Sequence, residues 1–372
     1  MAVKILAQFT LIFWGWAFTL MPAAAAFSSL YVFGDGACTT TNYLNTGSSL
    51  YYGLRSSNGR VWVEVLAQRQ GLTYIASNNW SYYGQTSSIL VTNAASFKAP
   101  ANATNALFAV WTCDADFVYD LQNAGLGPPY DASKLPLWTN VINLHLTNHF
   151  KALTNLYAKG LRNLVAPSAT DLTQIPVFNG LFYNSPSAQA FVRERILSFN
   201  SGYLALLNNL KASRPNLNFW APDLFHLLND VEAHASQYGL TNALAAGVVS
   251  DVLDTASLSP WSLNGPGTNY IFWDSDDPTA KFHEVIADFI QQQISPPTLV
   301  GISPGAAKIL LRLSNPPLGL SGFVDGKTDL ATTNWGMELG FNSTNLSQTI
   351  SVPAGAPQHF YRVRFPFAWA WP

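Results

Sequence analysis

The sequence predicts an α/β domain with a mostly parallel sheet covered on both faces, followed by a small all-β module. Three observations predict it. Short apolar runs alternate with longer amphipathic stretches from Leu30 to about Ile294. The alternation stops at Ser295-Pro296-Pro297, and beyond it no helical period survives. Strands that read as continuous apolar runs are buried on both faces, which is what helices on either side of a parallel sheet produce.

The first 26 residues read as a secretory signal rather than as part of the fold. Lys4 gives a positive start, Ile5 to Leu20 is apolar, and Met21-Pro22 leads into four alanines that suit a signal peptidase. An uncleaved N-terminal anchor is the alternative, because the run approaches spanning length. Leu30-Tyr31-Val32-Phe33 is then a compact buried-strand pattern ending at Gly34. Gly59 to Gln70 reads as a helix with Val61, Val63, Leu66 and Ala67 as its apolar residues. Ala106 to Trp111 is a second strand, Leu137 to Lys159 a long helix, and Arg162 to Pro167 a third strand. Ser185 to Lys211 is helical, Leu217 to Ala221 a fourth strand, and Ile271-Phe272-Trp273 leads into a last helix over 279–294. Past the proline break, Ala307–Leu313, Gly322–Lys327, Gln348–Val352 and Phe360–Phe365 read as short strands of a β-sandwich-like module. The organisation expected is therefore a signal over 1–26, a main domain over 27–294 and a module over 295–372.

Composition narrows the function classes. Hydrophobic residues make up 48% and charged residues 11%, so a large core is available and disorder is excluded. The net charge of −2, with no basic cluster, leaves no nucleic-acid footprint. No second segment is apolar for long enough to span a bilayer.

In a parallel sheet, ligands bind beyond the carboxyl ends of the strands, so the residues after each strand carry the chemistry. The first such segment is Phe33-Gly34-Asp35-Gly36-Ala37-Cys38. Further on come Tyr52-Gly53 through Glu64, with Arg55, Ser57, Asn58 and Gly59, then Asn79-Trp80-Ser81-Tyr82-Tyr83-Gly84. Trp111-Thr112-Cys113-Asp114-Ala115-Asp116-Phe117 follows the second strand, and Asp274-Ser275-Asp276-Asp277-Pro278-Thr279 precedes the last helix. In this order the segments resemble the conserved blocks of the GDSL/SGNH hydrolases, a lipase/esterase family, over roughly residues 28 to 294. The resemblance implies an SGNH-type three-layer sandwich with a flavodoxin-like parallel sheet.

It also implies roles, and most of them fail here. The family's block-one serine attacks the ester carbonyl, and Gly36 stands at that position. The block-five histidine is the base, and Asp277 stands there; Asp274 keeps the place of the aspartate that orients it. The block-three asparagine donates to the oxyanion, and Ala115 stands there. Gly84 alone keeps its role, as a backbone donor. A triad that loses nucleophile or base retains about 10³–10⁴ over water, and one lost oxyanion donor costs about 10²–10³ more. The expectation is a catalytically degenerate protein that binds a small ester or glycan ligand or serves structurally. The alternative is an active carboxylester or acetyl-glycan hydrolase with a rebuilt site. Neither a cofactor nor a metal is called for, and oligomeric state is not legible.

Other residues bear on rescue or binding. Cys38 carries a thiol and Thr39, Thr40 and Thr41 hydroxyls, but none sits at the turn the family uses; capping suits the threonines. Because the family places both cysteine-bearing loops at the mouth of the site, a Cys38–Cys113 disulfide is expected there, with two buried thiols as the alternative. Asp35, Asp114 and Asp116 are cleft-lining candidates. With Asp274, Asp276 and Asp277 they form an acidic set that reads as solvated or capping carboxylates rather than a calcium loop. An Asp35/Asp277 acid–base pair on a glycosidic bond is a weaker reading. His145 and His149 share a helix face. His226 and His234 follow the fourth strand, and His283 on the last helix reads as a packed residue.

Overall fold

The structure, a computed structural model, describes residues 27–41, 49–123, 125–182, 185–241, 244–245, 248–305, 307–354 and 359–367. The signal expected over 1–26 and the last residues, 368–372, lie outside the described residues.

A four-stranded parallel sheet in the order β1 (Leu30–Gly34), β2 (Leu107–Trp111), β3 (Asn163–Val165), β4 (Asn218–Trp220) forms the centre. All five residues of β1 and of β2 are buried. Parallel pairing requires a crossover between strands, and the amphipathic stretches supply it: α1 (Trp62–Arg69), α2 (Ser87–Ser96), α3 (Cys113–Asn123), α4 (Leu135–Ala158), α5 (Pro176–Phe182) and α6 (Pro186–Ser213). After β4 come α7 (Leu224–Ala233), a short ribbon of β5 (Leu244–Ala245) and β6 (Val248–Val249), and α8 (Ala280–Ile294). Side chains alternate along a strand, so Phe108 and Trp111 face opposite ways. Phe108 meets Phe97 at the end of α2, whereas Trp111 meets Trp62 at the start of α1. Helices therefore cover both faces, with α1 packed on α8 and α4 packed between α2 and α6. Among the described residues, no helix is long and apolar enough to cross a membrane.

Local chemistry fixes the ends. Glu64 accepts from the Val61 amide at 3.1 Å and caps α1, while Arg55 grips the same carboxylate at 2.7 and 2.6 Å. Thr279 caps α8 by accepting from the Phe282 amide. Four helices, α2, α3, α5 and α7, escape the sequence reading. In α2, Ser-Ser-Ile-Leu-Val-Thr-Asn-Ala-Ala-Ser mixes polar and β-branched residues, and it packs on α4; α3 follows its strand with only Thr112 between, and α7 starts at an Asp223 cap that accepts from the His226 amide but lies only three residues after β4.

Beyond α8 the chain is antiparallel throughout. One sheet is β11 (Ser347–Pro353), β8 (Lys308–Ser314), β7 (Thr298–Pro304); the other is β10 (Gly336–Asn342), β9 (Ser321–Lys327), β12 (Phe360–Arg364). Leu311, Leu313, Ile350 and Val352 of the first sheet close on Val324 of the second and on Phe365, forming a core of their own. The strands β7 and β10 are not expected from the sequence: glycine and proline in β7, and the polar mix Gly-Met-Glu-Leu-Gly-Phe-Asn in β10, hide the period of two.

Arg69 joins the helical layers to this module. Its Nε donates to Asp288 Oδ1 on α8 at 2.6 Å and its Nη1 to the Leu318 carbonyl at 3.0 Å. Truncating Arg69 to alanine leaves a mostly buried Asp288 unpaired, and about 3 kcal/mol of stability is expected to be lost in urea unfolding.

Candidate functional site

Register brings the site together. Gly34 pairs with Trp111, so β1 and β2 end side by side and Asp35-Gly36 emerges next to Thr112-Cys113. Asp35 accepts from the Ala37 amide at 3.1 Å and starts the short turn Gly36–Cys38. On the free side of β1 the stretch from Asn79 runs parallel: the Trp80 amide donates to the Val32 carbonyl at 2.8 Å and the Tyr82 amide to the Gly34 carbonyl at 3.3 Å. That alignment delivers Gly84, whose φ of 74° is a left-handed conformation natural to glycine. α3 begins at Cys113, which places Asp114 and Ala115 in its first turn.

The loop before α8 closes the set. Asp274 Oδ1 accepts from the amides of Asp276 and Asp277 at 3.2 and 2.8 Å, and its Oδ2 accepts from the Tyr51 hydroxyl at 2.8 Å. Tyr83 donates to Asp276 Oδ2 at 3.2 Å. Ser57 Oγ donates to the Pro278 carbonyl at 2.9 Å, and Asn58 Oδ1 accepts from the Ala280 amide at 2.8 Å. The segment around Arg55–Gly59 is thus a brace for the loop that holds Asp277.

A cavity of about 250 Å³ opens where these segments meet. Asp35, Gly36, Gly84, Asp114, Asp276 and Asp277 form its polar part, with Ala115 beside them. Val118, Ile175, Leu228, Phe272, Phe282 and Ile286 contribute to a largely apolar remainder. An ideal Cβ on Gly36 lies 3.3 Å from Asp277 Oδ1, 3.5 Å from Ser56 Oγ and 3.0 Å from Tyr83 Cδ2. A side chain at position 36 would therefore face position 277 directly. Ser56 Oγ is the nearest hydroxyl to that space, but Ser56 is fully buried and is not part of the cavity wall.

Burial, reinforced by the charge of Asp114, pushes the Asp35 carboxyl well above the usual range. Burial and then Asp274 do the same to Asp277. Asp274 rises to about 7 through burial and Asp276, and Asp114 rises to about 7 through burial despite two hydrogen bonds from Thr170. Among the described residues no ion pair reaches Asp35, Asp114, Asp274, Asp276 or Asp277. Within those residues, this end of the cavity is a cluster of acids without a basic partner.

Two expectations need correction. Asp116 does not line this cavity: its Oδ1 accepts from the Ser87 amide at 2.7 Å, and its side chain borders a neighbouring space of about 340 Å³ shared with Asp120 and His145. Nor are the cysteines joined. Both are free and fully buried. Cys38 Sγ is tucked under Gly34, 2.4 Å from where a Cβ there would stand, and Cys113 Sγ turns toward His149 Nε2 (3.7 Å) and the Pro167 carbonyl (3.9 Å). Each thiol is pushed well up by burial, which removes Cys38 as a nucleophile.

The remaining candidates are occupied structurally. Thr39 Oγ1 donates to the Ser81 carbonyl and Thr40 shares a 2.6 Å hydrogen bond with Tyr74. His149 Nδ1 lies 2.9 Å from the His145 carbonyl, to which it donates, and burial lowers its pKa to about 4. His283 is buried, lowered to about 3, and outside the cavity wall. Sequence reasoning missed Tyr51 and Thr170, which lie outside the family-like segments, and Ser56, which lies inside the Tyr52–Glu64 segment. Tyr83 stood out only as a member of its block.

These observations define an α/β scaffold with a strand-end cavity of the kind ester hydrolases use. No protein-family model matches the chain. Among curated proteins it is similar to a GDSL esterase/lipase of Arabidopsis thaliana, 27% identical over 146 residues, 38% of each chain. A second Arabidopsis GDSL esterase/lipase is 24% identical over 194 residues, 51% of this chain and 52% of its own. An acetylesterase of Thermothelomyces thermophilus is 28% identical over 187 residues, 45% of this chain and 56% of its own. The chain thus spans about half or less of the length of these relatives. Similar solved structures include a lipase from a goat rumen metagenome, with a TM-score of 0.40 and 11% identity over 72% of this chain and 97% of that one. An acetylxylan esterase from Geobacillus stearothermophilus gives 0.39 and 13% over 72% and 94%. At such TM-scores the overlays carry no weight, and the assignment rests on the curated relatives and the block order. The chain is thus similar to GDSL esterase/lipases and to an acetylesterase over about half of its length or less.

The burial of these groups has two measurable consequences. Native protein should be inert to a thiol reagent, whereas protein unfolded without reductant should release two reactive thiols per chain; none released would mean a disulfide. The second concerns pH. Asp114 holds its proton to about pH 7 when folded but only to about pH 4 when unfolded, so the folded state binds the extra proton and stability falls as pH rises through that window. Thermal unfolding in chelator should show a higher Tm near about pH 5 than near about pH 8, and Asp114→Asn should reduce the difference.

Proposed function

We propose that this chain is an exported, catalytically degenerate member of the family, whose strand-end cavity binds a small ester-like or acetylated-glycan ligand without turning it over. The carrying observation is the geometry at Gly36. The position that would present the nucleophile has no side chain, and the carboxyl of Asp277 faces it at 3.3 Å where a base would stand. Ala115 at the same wall offers no side-chain donor, which leaves the Gly84 amide to serve an oxyanion. The apolar remainder of the cavity favours a ligand with a hydrophobic portion. The ester or acetyl character is carried over from the names of the relatives. Export rests on the pattern of residues 1–26, and the organisation proposed is signal, hydrolase-like domain over 27–294 and accessory module over 295–372.

Hydrolysis of p-nitrophenyl acetate and butyrate tests the reading. The natural protein should stay at the background rate. The combined change Gly36→Ser, Ala115→Asn, Asp277→His should gain at least about 10²-fold, the lower end of what a positioned general base supplies. Tyr83 must yield by a few tenths of an ångström to admit the new Cβ, which lies 3.0 Å from its ring. Turnover by the unaltered protein would show a rebuilt active site and overturn the proposal.

A further inference from the structure

We propose that Asp274, Asp276 and Asp277 bind one hard divalent cation of the Ca²⁺ class at the polar end of the cavity, where the family keeps its histidine. Each of the three offers a carboxylate oxygen, and these oxygens lie within 4.8 Å of one another. Two buried, unpartnered groups mark where further oxygen ligands are available. Asp277 is only 5% exposed, yet its Oδ2 takes no hydrogen bond. Ser56 is 0% exposed, and its Oγ, though it faces Asp277 closely enough to favour the charged carboxylate, meets no partner in hydrogen-bonding geometry. Ser56 Oγ and Asp277 Oδ1 converge on the space over Gly36, at 3.5 and 3.3 Å from the point a Cβ would occupy. A buried polar atom left without a partner is costly, and two such groups beside one space call for a common occupant.

Charge points the same way. Three carboxylates with no ion pair to any described Lys, Arg or His repel one another when ionised, and a cation between them would offset that repulsion as protonation does. The surrounding hydrogen bonds orient two of them in advance. The amides of Asp276 and Asp277 and the Tyr51 hydroxyl fix Asp274, and the Tyr83 hydroxyl fixes Asp276. A carboxylate oxygen that accepts one hydrogen bond keeps a second lone pair for a metal. The donors are all oxygen, which selects a hard cation over Zn²⁺, and their irregular placement suits Ca²⁺ better than the strict octahedron of Mg²⁺. Ligand oxygens entering the cavity would complete the shell. The site does not depend on whether the cavity is catalytic.

The test is Tb³⁺ luminescence on chelator-treated protein, excited through the aromatic side chains. Tyr51 and Tyr83 contact the proposed ligands, so bound Tb³⁺ should be sensitised, saturate at one ion per chain and be displaced by Ca²⁺. Asp277→Asn and the part-exposed Asp276→Asn should each weaken binding at least as much as the roughly 10–100-fold that outer-shell partners are worth. Asp329→Asn, on the remote β-module, should bind like the natural protein. The absence of saturable Tb³⁺ and Ca²⁺ binding by folded natural protein would overturn the site. Unchanged binding in a folded Asp276→Asn variant would do the same.

Discussion

The Asp35 turn, the first turn of α3 and the stretch bearing Gly84 owe their places at the cavity to the shared ending of β1 and β2. Gly34 stands opposite Trp111, and the Asp35 amide donates back to the Trp111 carbonyl at 3.2 Å. Because the sheet is parallel, both chains leave it at the same edge and turn outward together. The Asp35 turn and the first turn of α3 therefore have no choice but to be neighbours. The stretch that delivers Gly84 is aligned by hydrogen bonds to β1 itself, and Thr170, after β3, reaches across to Asp114. Shifting the β1–β2 register by one residue would reverse the facing of each strand and dissolve the cavity.

On the proposed reading, glycine at 36 and aspartate at 277 stand where the family has serine and histidine, and that exchange bears on more than acylation. It changes the electrostatics of the pocket. A histidine at position 277 would have placed a basic group among Asp35, Asp274 and Asp276. With Asp277 there instead, the same space holds one more acid in place of that base, and desolvation drives the buried members toward the protonated form. At low pH this is a neutral, hydrogen-bond-donating pocket end. Near neutrality it becomes a repulsive one that must recruit protons or a cation.

Much of this was legible in the sequence because the family blocks are backbone devices as much as catalytic ones. The four parallel strands could be read because each is a closed apolar run. The resemblance assigns Gly36, Ala115 and Asp277 to family positions because their neighbours keep the block spacing. What could not be read depends on side-chain direction. Cys38 and Cys113 belong to adjacent loops, as the resemblance implied, but one thiol turns beneath β1 and the other toward α4, so adjacency did not become a bond. Asp116 sits two residues beyond Asp114 in the same helical turn, and a helix rotates such a pair to different faces. Ser56 and Tyr51 lie more than 200 positions from the loop they support, a distance over which no local pattern speaks.

On the proposed reading, Asp274 is an active-site residue that has outlived its chemistry. In a triad this acid orients the imidazole, a role with no partner here. Yet its Oδ1 gathers the amides of Asp276 and Asp277 and its Oδ2 holds Tyr51, so it shapes the loop that carries position 277. Orientation and loop support are therefore separable jobs of one carboxylate. Loss of the first removes only catalysis, whereas loss of the second would release the turn that leads into α8 and leave buried amides unpaired. On the proposed reading, support of this loop would by itself give Asp274 a role without nucleophile and base. Its presence is accordingly no evidence of surviving catalysis, and activity turns on Gly36 and Asp277.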